Sequence, residues 1–162
     1  MPQLKEDITA CSEWIVQCFG SIQLPLDYSL DSIVHIDGFL QKNIVDAQPV
    51  PDSVLASNFG QILFGLGAYL GETIIRHVPG ADWVLDDADP QGEINAEVRF
   101  PDGSQIWPMM KIIKRAQNGF EDSVYPYAYE LTKPYAANVF NDAFWHIRPQ
   151  EPPDRKPWYK FW

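Results

Sequence analysis

The chain has 162 residues, 46% of them hydrophobic and 14% aromatic, which is enough to bury the core of one globular domain and excludes disorder throughout. Its 12 Lys and Arg against 22 Asp and Glu give a net charge of −10, so we expect no nucleic acid and no anionic membrane surface as a partner. The apolar runs are far shorter than the roughly 20 residues of a membrane span, and the N-terminus lacks the apolar core of a secretion signal, which predicts a cytoplasmic protein.

The N-terminal part of the sequence has the pattern of two amphipathic helices. Apolar residues that recur every three or four positions predict a first helix over residues 5–19. The same spacing predicts a second helix that extends to Ile44, with Ser29 as its N-cap. Cys11 and Cys18 would lie two turns apart in the first helix, about 10 Å along its axis, which is too far for a disulfide. We therefore expect two buried thiols.

Residues 57–77 predict one long helix that contains an unusual row of glycines. Gly60, Gly67 and Gly71 recur at spacings of seven and four, near one face of the helix. A glycine inside a helix costs about 1 kcal/mol relative to alanine, so the row indicates that another backbone packs closely against this face. Pro79 ends the helix.

After this helix the periodicity changes to two, the pattern of β-strands. Residues 94–100 alternate between apolar and polar side chains, and residues 82–85 are a suitable partner strand. A turn at residues 101–103 would return the chain as a third strand over residues 104–107. This region therefore predicts a small antiparallel meander.

Two short helices and a tail complete the chain. One helix begins at Pro108 and ends near residue 118, and a tyrosine-rich helix begins at residue 122 or 123 and ends near Thr132. Prolines exclude regular structure in residues 133–162. We therefore predict an α+β fold, in which N-terminal helices and a central Gly-rich helix pack on a small antiparallel β-meander. Residues 1–132 form the domain and residues 133–162 an aromatic, Pro-rich C-terminal tail.

Charge separates the tail from the rest of the chain. From His146 onward it carries four basic and two acidic residues, net +2, which leaves −12 for residues 1–145. Opposite charges and many aromatic side chains predict that the tail packs on the acidic body or on a partner, either a second copy or another protein. The expected contact residues are Trp145, Trp158, Tyr159 and Trp162.

A series of short motifs follows in order between Leu26 and Ser123. It consists of Leu26-Asp27-Tyr28-Ser29, a helix with Asp37, Gly67-Ala68-Tyr69-Leu70-Gly71-Glu72, Trp83, Pro101-Asp102-Gly103, Pro108, Asn118-Gly119 and Glu121-Asp122-Ser123. The series resembles an uncharacterised bacterial domain family with a GAYLGE-type helix motif. That family carries no established reaction, so the resemblance implies no catalytic residue, and it does not cover the first 25 residues or the tail.

The glycines also allow a dinucleotide-binding interpretation. In this interpretation the three apolar residues before Gly65 would form a strand, and Gly65, Gly67 and Gly71 would form the phosphate-binding turn. Asp86 or Asp87, about twenty residues later, would bind the ribose. However, the helical pattern begins before the glycines, and the remaining chain is too short for repeated βαβ units. We therefore expect no cofactor.

An acidic loop is similar to part of an EF-hand. Asp87 and Asp89 occupy positions one and three, Gly92 position six and Ile94 position eight, but position twelve is Val98 where a bidentate glutamate should close the site. Strands rather than helices flank the loop, so a hairpin loop is the favoured interpretation. The three histidines also lack the spacing of a zinc site.

The candidate acid–base residues are Glu72, His77 and His35. Glu72 lies four residues before Arg76, so a helix-face ion pair is the favoured interpretation of this carboxylate. His77 at a helix C-terminus fits a dipole-stabilised cation. His35 and Asp37 diverge on a helix because they are two residues apart.

Two functions from different classes fit these patterns. The first is a non-catalytic protein-interaction module, of an immunity or accessory type, which the acidic charge, the aromatic content and the absence of a nucleophile or metal motif favour. The alternative is a small enzyme or ligand-binding domain. Its pocket would lie beside the Gly67/Gly71 helix where this helix meets the meander, and Glu72 would act with His35 or His77.

Overall fold

The computed structural model describes residues 3–147, and these residues adopt the predicted α+β fold. The helices are α1 (Gln3–Ser21), α2 (Ile33–Asn43), α3 (Val54–Ser57), α4 (Phe59–His77), α5 (Pro108–Asn118) and α6 (Val124–Thr132). The strands are β1 (Ile44–Val45), β2 (Gln48–Pro49), β3 (Asp82–Val84), β4 (Glu97–Arg99) and β5 (Gln105–Ile106). Two 3-10 helices span Gly119–Asp122 and Asp142–Ile147. Within residues 3–147 no helix is long and apolar enough to cross a membrane.

The central helix α4 packs between α1 on one side and α5 on the other. Most of its length is buried, because apolar or small residues occupy nearly every position from Ile62 to Ile74. Gly65 faces α1, where an added Cβ would lie 3.1 Å from the Cβ of Ile15 and 3.4 Å from the carbonyl oxygen of Cys11. The two helices are therefore in close contact at this point.

The glycine row of α4 explains how α5 and the meander reach the helix. A Cβ on Gly67 would lie 2.7 Å from the Cα of Met109, at the start of α5. At Gly71 a Cβ would overlap the ring of Trp83 and lie 3.2 Å from Cγ of Pro108. The predicted approach of another backbone is confirmed at Gly67, whereas at Gly71 the close neighbours are the side chains of Trp83 and Pro108. The prediction is wrong at Gly60, around which no atom lies within 4 Å.

The meander is confirmed, with strands shorter than the sequence predicts. β4 pairs antiparallel with β3 and with β5, and Val98 lies opposite both Trp83 and Ile106. The alternating residues before β4 are not extended, because the backbone N–H of Asn95 donates to Gln91 O in a turn, at 3.0 Å. Buried side chains on one face of the three strands complete the core beside α4.

Two segments between α2 and α4 differ from the prediction. The second helix ends at Asn43, and β1 and β2 form a hairpin whose turn residues Asp46 and Ala47 have φ of 53° and 63°. Both values belong to the left-handed region that two-residue hairpin turns require. The separate short helix α3 then begins at Val54, and the side chain of its N-cap residue Ser53 accepts a hydrogen bond from the backbone of Ala56 at 3.2 Å.

A buried ion pair joins α2, α5 and α6. Asp37 is fully buried, and its carboxylate accepts hydrogen bonds from Arg115 Nε at 3.0 Å and from the backbone N–H groups of Val124 and Tyr125 at 2.8 and 2.7 Å. Arg115 also donates to the carbonyl of Asp37 and to Gln41 Oε1. Burial raises the pKa of Asp37, while the two backbone donors and the guanidinium oppose that rise. The side chain thereby caps the N-terminus of α6.

Residues after α6 pack on the domain rather than extend away from it. The prediction of no regular structure is wrong for the 3-10 helix Asp142–Ile147, which contacts α2. Phe144 is 2% exposed and its ring stacks on Phe120, with centroids 5.1 Å apart. The hydroxyl of Tyr125 accepts a hydrogen bond from the backbone of Asn141 at 2.7 Å, so this segment is held by polar contacts as well as by rings.

Candidate functional site

Tyr28 is the most constrained residue near the predicted acid–base groups. Its φ of 64° is unfavourable for a residue with a bulky side chain, and such strain persists only where many contacts fix the residue. The carbonyl of Tyr28 lies 2.9 Å from His77 Nε2, and the guanidinium carbon of Arg76 lies 3.4 Å from the centroid of its ring. Both contacts come from the last turn of α4.

A chain of hydroxyl groups extends from Tyr28 into the core. Its backbone N–H donates to the hydroxyl of Tyr69 at 2.7 Å, and that hydroxyl lies 2.6 Å from Ser32 Oγ. The Tyr28 hydroxyl lies 2.9 Å from Ser12 Oγ, and burial raises the pKa of Tyr69. The two hydroxyl pairs are joined through the backbone N–H of Tyr28, so the network ties α1 and the residues before α2 to α4.

Glu72 and Arg76 do not form the ion pair that their spacing predicts. Arg76 instead lies over the ring of Tyr28, a cation–π contact that uses the same guanidinium. Among the ion pairs that the structure shows within residues 3–147, none includes the half-buried Glu72. The predicted ion pair between Glu72 and Arg76 is therefore wrong.

The two clefts that His35 lines do not include the other predicted acid–base groups. His77 is engaged with the backbone of Tyr28, whereas His35 lies on α2 and lines two clefts of about 340 and 440 Å³. Neither cleft is lined by Glu72 or His77. The seam at Gly67 and Gly71 is itself filled by Met109, Trp83 and Pro108, so a ligand pocket beside this helix would have to lie outside the seam.

The acidic loop uses its carboxylates for local hydrogen bonds. Asp87 accepts from the backbone of Leu4 at 2.9 Å, which joins the loop to the start of α1. Asp89 accepts from Asn95 Nδ2 at 2.8 Å and from the backbone of Gln91 at 2.9 Å, and the Asn95 contact lowers the pKa of Asp89. In the stretch from residue 3 to residue 147, no group of three His, Cys, Asp or Glu side chains is arranged to hold a metal ion.

The glycine-rich segment is not a nucleotide-binding turn. Ile62, Leu63 and Phe64 belong to the interior of α4, whereas the dinucleotide interpretation requires a strand there. The glycines continue the same helix, and Gly67 contacts α5 rather than an open cleft. Close packing against α1, against α5 and against Trp83 of β3 therefore accounts for Gly65, Gly67 and Gly71 in turn.

Two apolar grooves are present on the surface of the domain. The α4 groove, of about 340 Å³, adjoins Gly60 and is lined by Phe59, Leu63, Phe64, Ile94, Met109 and Ile113. The α2 groove, also of about 340 Å³, adjoins His35 and Gly38 and is lined by Ile22, Leu24, Phe39, Lys42, Asn43 and Val54. Each groove combines residues from distant segments, so sequence patterns do not predict either groove. The one sequence feature that points to a groove is Gly60, which leaves space beside the helix.

The predicted contact residues of the tail are only partly described. Trp145 is 46% exposed, and its ring centroid lies 5.6 Å from that of Phe140 and 5.3 Å from that of Phe144. Trp158, Tyr159 and Trp162 lie outside the described residues.

The two cysteines, Cys11 and Cys18, are free thiols and are only half-buried. Burial is the main cause that raises the pKa of Cys11, and nearby acidic side chains add to it.

Comparison with known proteins adds no identification. No family model, no curated protein and no solved structure matches the chain. The resemblance to an uncharacterised bacterial domain family therefore stays a prediction, and the function has to be argued from the molecule itself.

Proposed function

We propose that the chain is a non-catalytic protein-interaction module, of an immunity or accessory type, that binds a basic protein through the α4 groove. The observation that carries this proposal is an apolar groove on a body of strongly negative charge. Its lining residues are almost all hydrophobic, and Ile94 remains 37% exposed at its edge. Apolar surface of this kind is stabilised when a partner covers it.

The charge of the domain supports a basic partner. Residues 1–147 carry a net charge of −12, because the remaining segment 148–162 carries +2. One acidic residue, Glu93, directly precedes the groove residue Ile94. Complementary charge around an apolar centre increases the association rate and favours a cationic partner.

The test uses the full chain as bait in an extract of its native host. The groove variant is Ile94→Glu, which places a charge at the groove edge without entering the core. The control is Val139→Glu, because Val139 is an 84% exposed apolar residue that does not line this groove. A captured protein is then purified and its affinity for each chain is measured at two salt concentrations.

We expect one partner that binds the wild-type chain and the control variant, with an affinity that falls as salt rises. Ile94→Glu should weaken binding at least tenfold. Equal binding by Ile94→Glu, a partner whose affinity ignores salt, or a chain that captures no protein would each contradict the proposal.

A further inference from the structure

The α2 groove is a second apolar surface, and the proposed binding at the α4 groove leaves it uncovered. Phe39 in its lining is buried and Leu24 is half-buried, while Ile22 and Val54 are 39% and 58% exposed. The groove therefore combines a buried aromatic ring with hydrophobic side chains in contact with water. This combination is typical of a surface that another segment covers.

The described chain ends beside this groove. The 3-10 helix Asp142–Ile147 packs on α2, and Ile147 Cδ1 lies 3.7 Å from the position that a Cβ would take on Gly38. Gly38 also lines the groove. The described chain therefore ends at the rim of the α2 groove, next to a helix position that carries no side chain.

The segment that begins here has the length and chemistry to fill the groove. Residues 148–162 number fifteen, and an extended chain spans about 3.3–3.6 Å per residue, so even a few residues cross a groove of this size. The segment includes Trp158, Tyr159, Phe161 and Trp162, whose large aromatic side chains can cover apolar walls. Attachment at the rim also gives it a high effective concentration at this groove.

We propose that residues 148–162 bind intramolecularly in the α2 groove and place aromatic side chains of residues 158–162 against Leu24 and Phe39. Four prolines in the segment restrict its unbound conformations and reduce the entropy lost on docking. Lys42 and His35 lie at the polar edge of the groove, so the apolar walls rather than ion pairs provide the contact there. Binding of the segment covers Ile22 and Val54.

The test is NMR on the full-length chain with labelled methyl groups. We expect nuclear Overhauser contacts between aromatic protons of residues 158–162 and methyl groups of Leu24, Ile22 or Val54. The double substitution W158A/W162A should shift these methyl signals and leave those of Leu63 and Ile113 in the α4 groove unchanged. Absence of the contacts, or equal shifts at both grooves, would overturn the proposal.

Two further measurements distinguish other occupants. In a mixture of differently labelled chains, contacts between copies that grow with concentration would assign the groove to a second molecule and overturn the intramolecular form. Val54→Glu should abolish the contacts, whereas Val45→Glu should retain them, because Val45 is similarly exposed at 60% but does not line the groove. Contacts that survive Val54→Glu would also overturn it.

Discussion

Substitution of Gly67 by alanine tests whether close packing explains the glycine row. The new Cβ would lie 2.7 Å from Met109 Cα, 2.8 Å from its Cγ and 3.1 Å from its backbone nitrogen. Because two of these three atoms belong to the backbone, α5 has to move away from α4. Overpacking usually costs about 1–3 kcal/mol, and the cost here falls at the upper end, about 2–3 kcal/mol, because backbone atoms have to shift. The helix gains about 1 kcal/mol from the loss of a glycine. We expect a net loss of about 1–2 kcal/mol.

The control is Gly60→Ala in the same helix. No atom lies within 4 Å of a Cβ at this position, so only the gain in helix propensity remains and the variant should be as stable as wild type or more stable, by up to about 1 kcal/mol. Urea unfolding, monitored by circular dichroism, measures the change in the free energy of unfolding for both variants. In a thermal melt, a change of about 1 kcal/mol corresponds to a shift of about 2–4 °C in Tm for a chain of this size. A Gly67→Ala variant as stable as wild type would refute the close-packing explanation.

The remaining predictions concern three polar contacts. Arg115→Met leaves the carboxylate of Asp37 buried without its cation, and we expect a loss of about 3–5 kcal/mol in the free energy of unfolding, measured by urea titration. Arg76→Ala removes an exposed cation–π contact and should cost about 0.5–1 kcal/mol, measured as a decrease in Tm. Ser29→Ala removes the hydrogen bond that lowers the pKa of Asp27, so this pKa should rise toward its usual value in an NMR titration. Because the pKa of Asp27 is lowered in the folded chain, the ionised carboxylate stabilises the fold above the usual carboxyl pKa, and this stabilisation is lost as the pH falls through the folded pKa. The free energy of unfolding of the Ser29→Ala variant should therefore fall less over this pH range than that of the wild type.

Each of these predictions has a control elsewhere in the chain. Lys111→Met disrupts a partly exposed pair with Asp122 and should cost at most about 1 kcal/mol, so an equal cost at Arg115 would contradict the role of burial. Glu72→Ala should leave Tm nearly unchanged, since Arg76 contacts a ring rather than this carboxylate. Ser104→Ala should raise the pKa of Asp102 and leave that of Asp27 in place.

The sequence predicted the features that depend on local periodicity. Alternating and three-four patterns predicted the meander and the helices, and the glycine spacing indicated the close approach at Gly67 and Gly71. The hairpin of β1 and β2 was missed because it depends on positive φ at Asp46 and Ala47, and alanine is not a typical residue at such a position. Short-range patterns thus defined the elements better than their connections.

The candidate sites depend on distant residues, which periodicity does not pair. Asp37 and Arg115 are 78 positions apart, and neither has a neighbour in sequence that indicates the other. Arg76 satisfies the spacing rule for a pair with Glu72, but the strained Tyr28 presents its ring to the same guanidinium. The two grooves arise only after residues from separate helices and loops come together.

The carboxylate of Asp37 makes the two halves of the chain mutually dependent. Its partners at Arg115, Val124 and Tyr125 all follow the exposed loop at residues 86–95. A protease cut in this loop would therefore yield an N-terminal fragment with an uncompensated charge in its interior and a C-terminal fragment with an uncapped helix. Neither fragment would be an autonomous folding unit, and the cleaved pieces would have to stay associated to keep their structure.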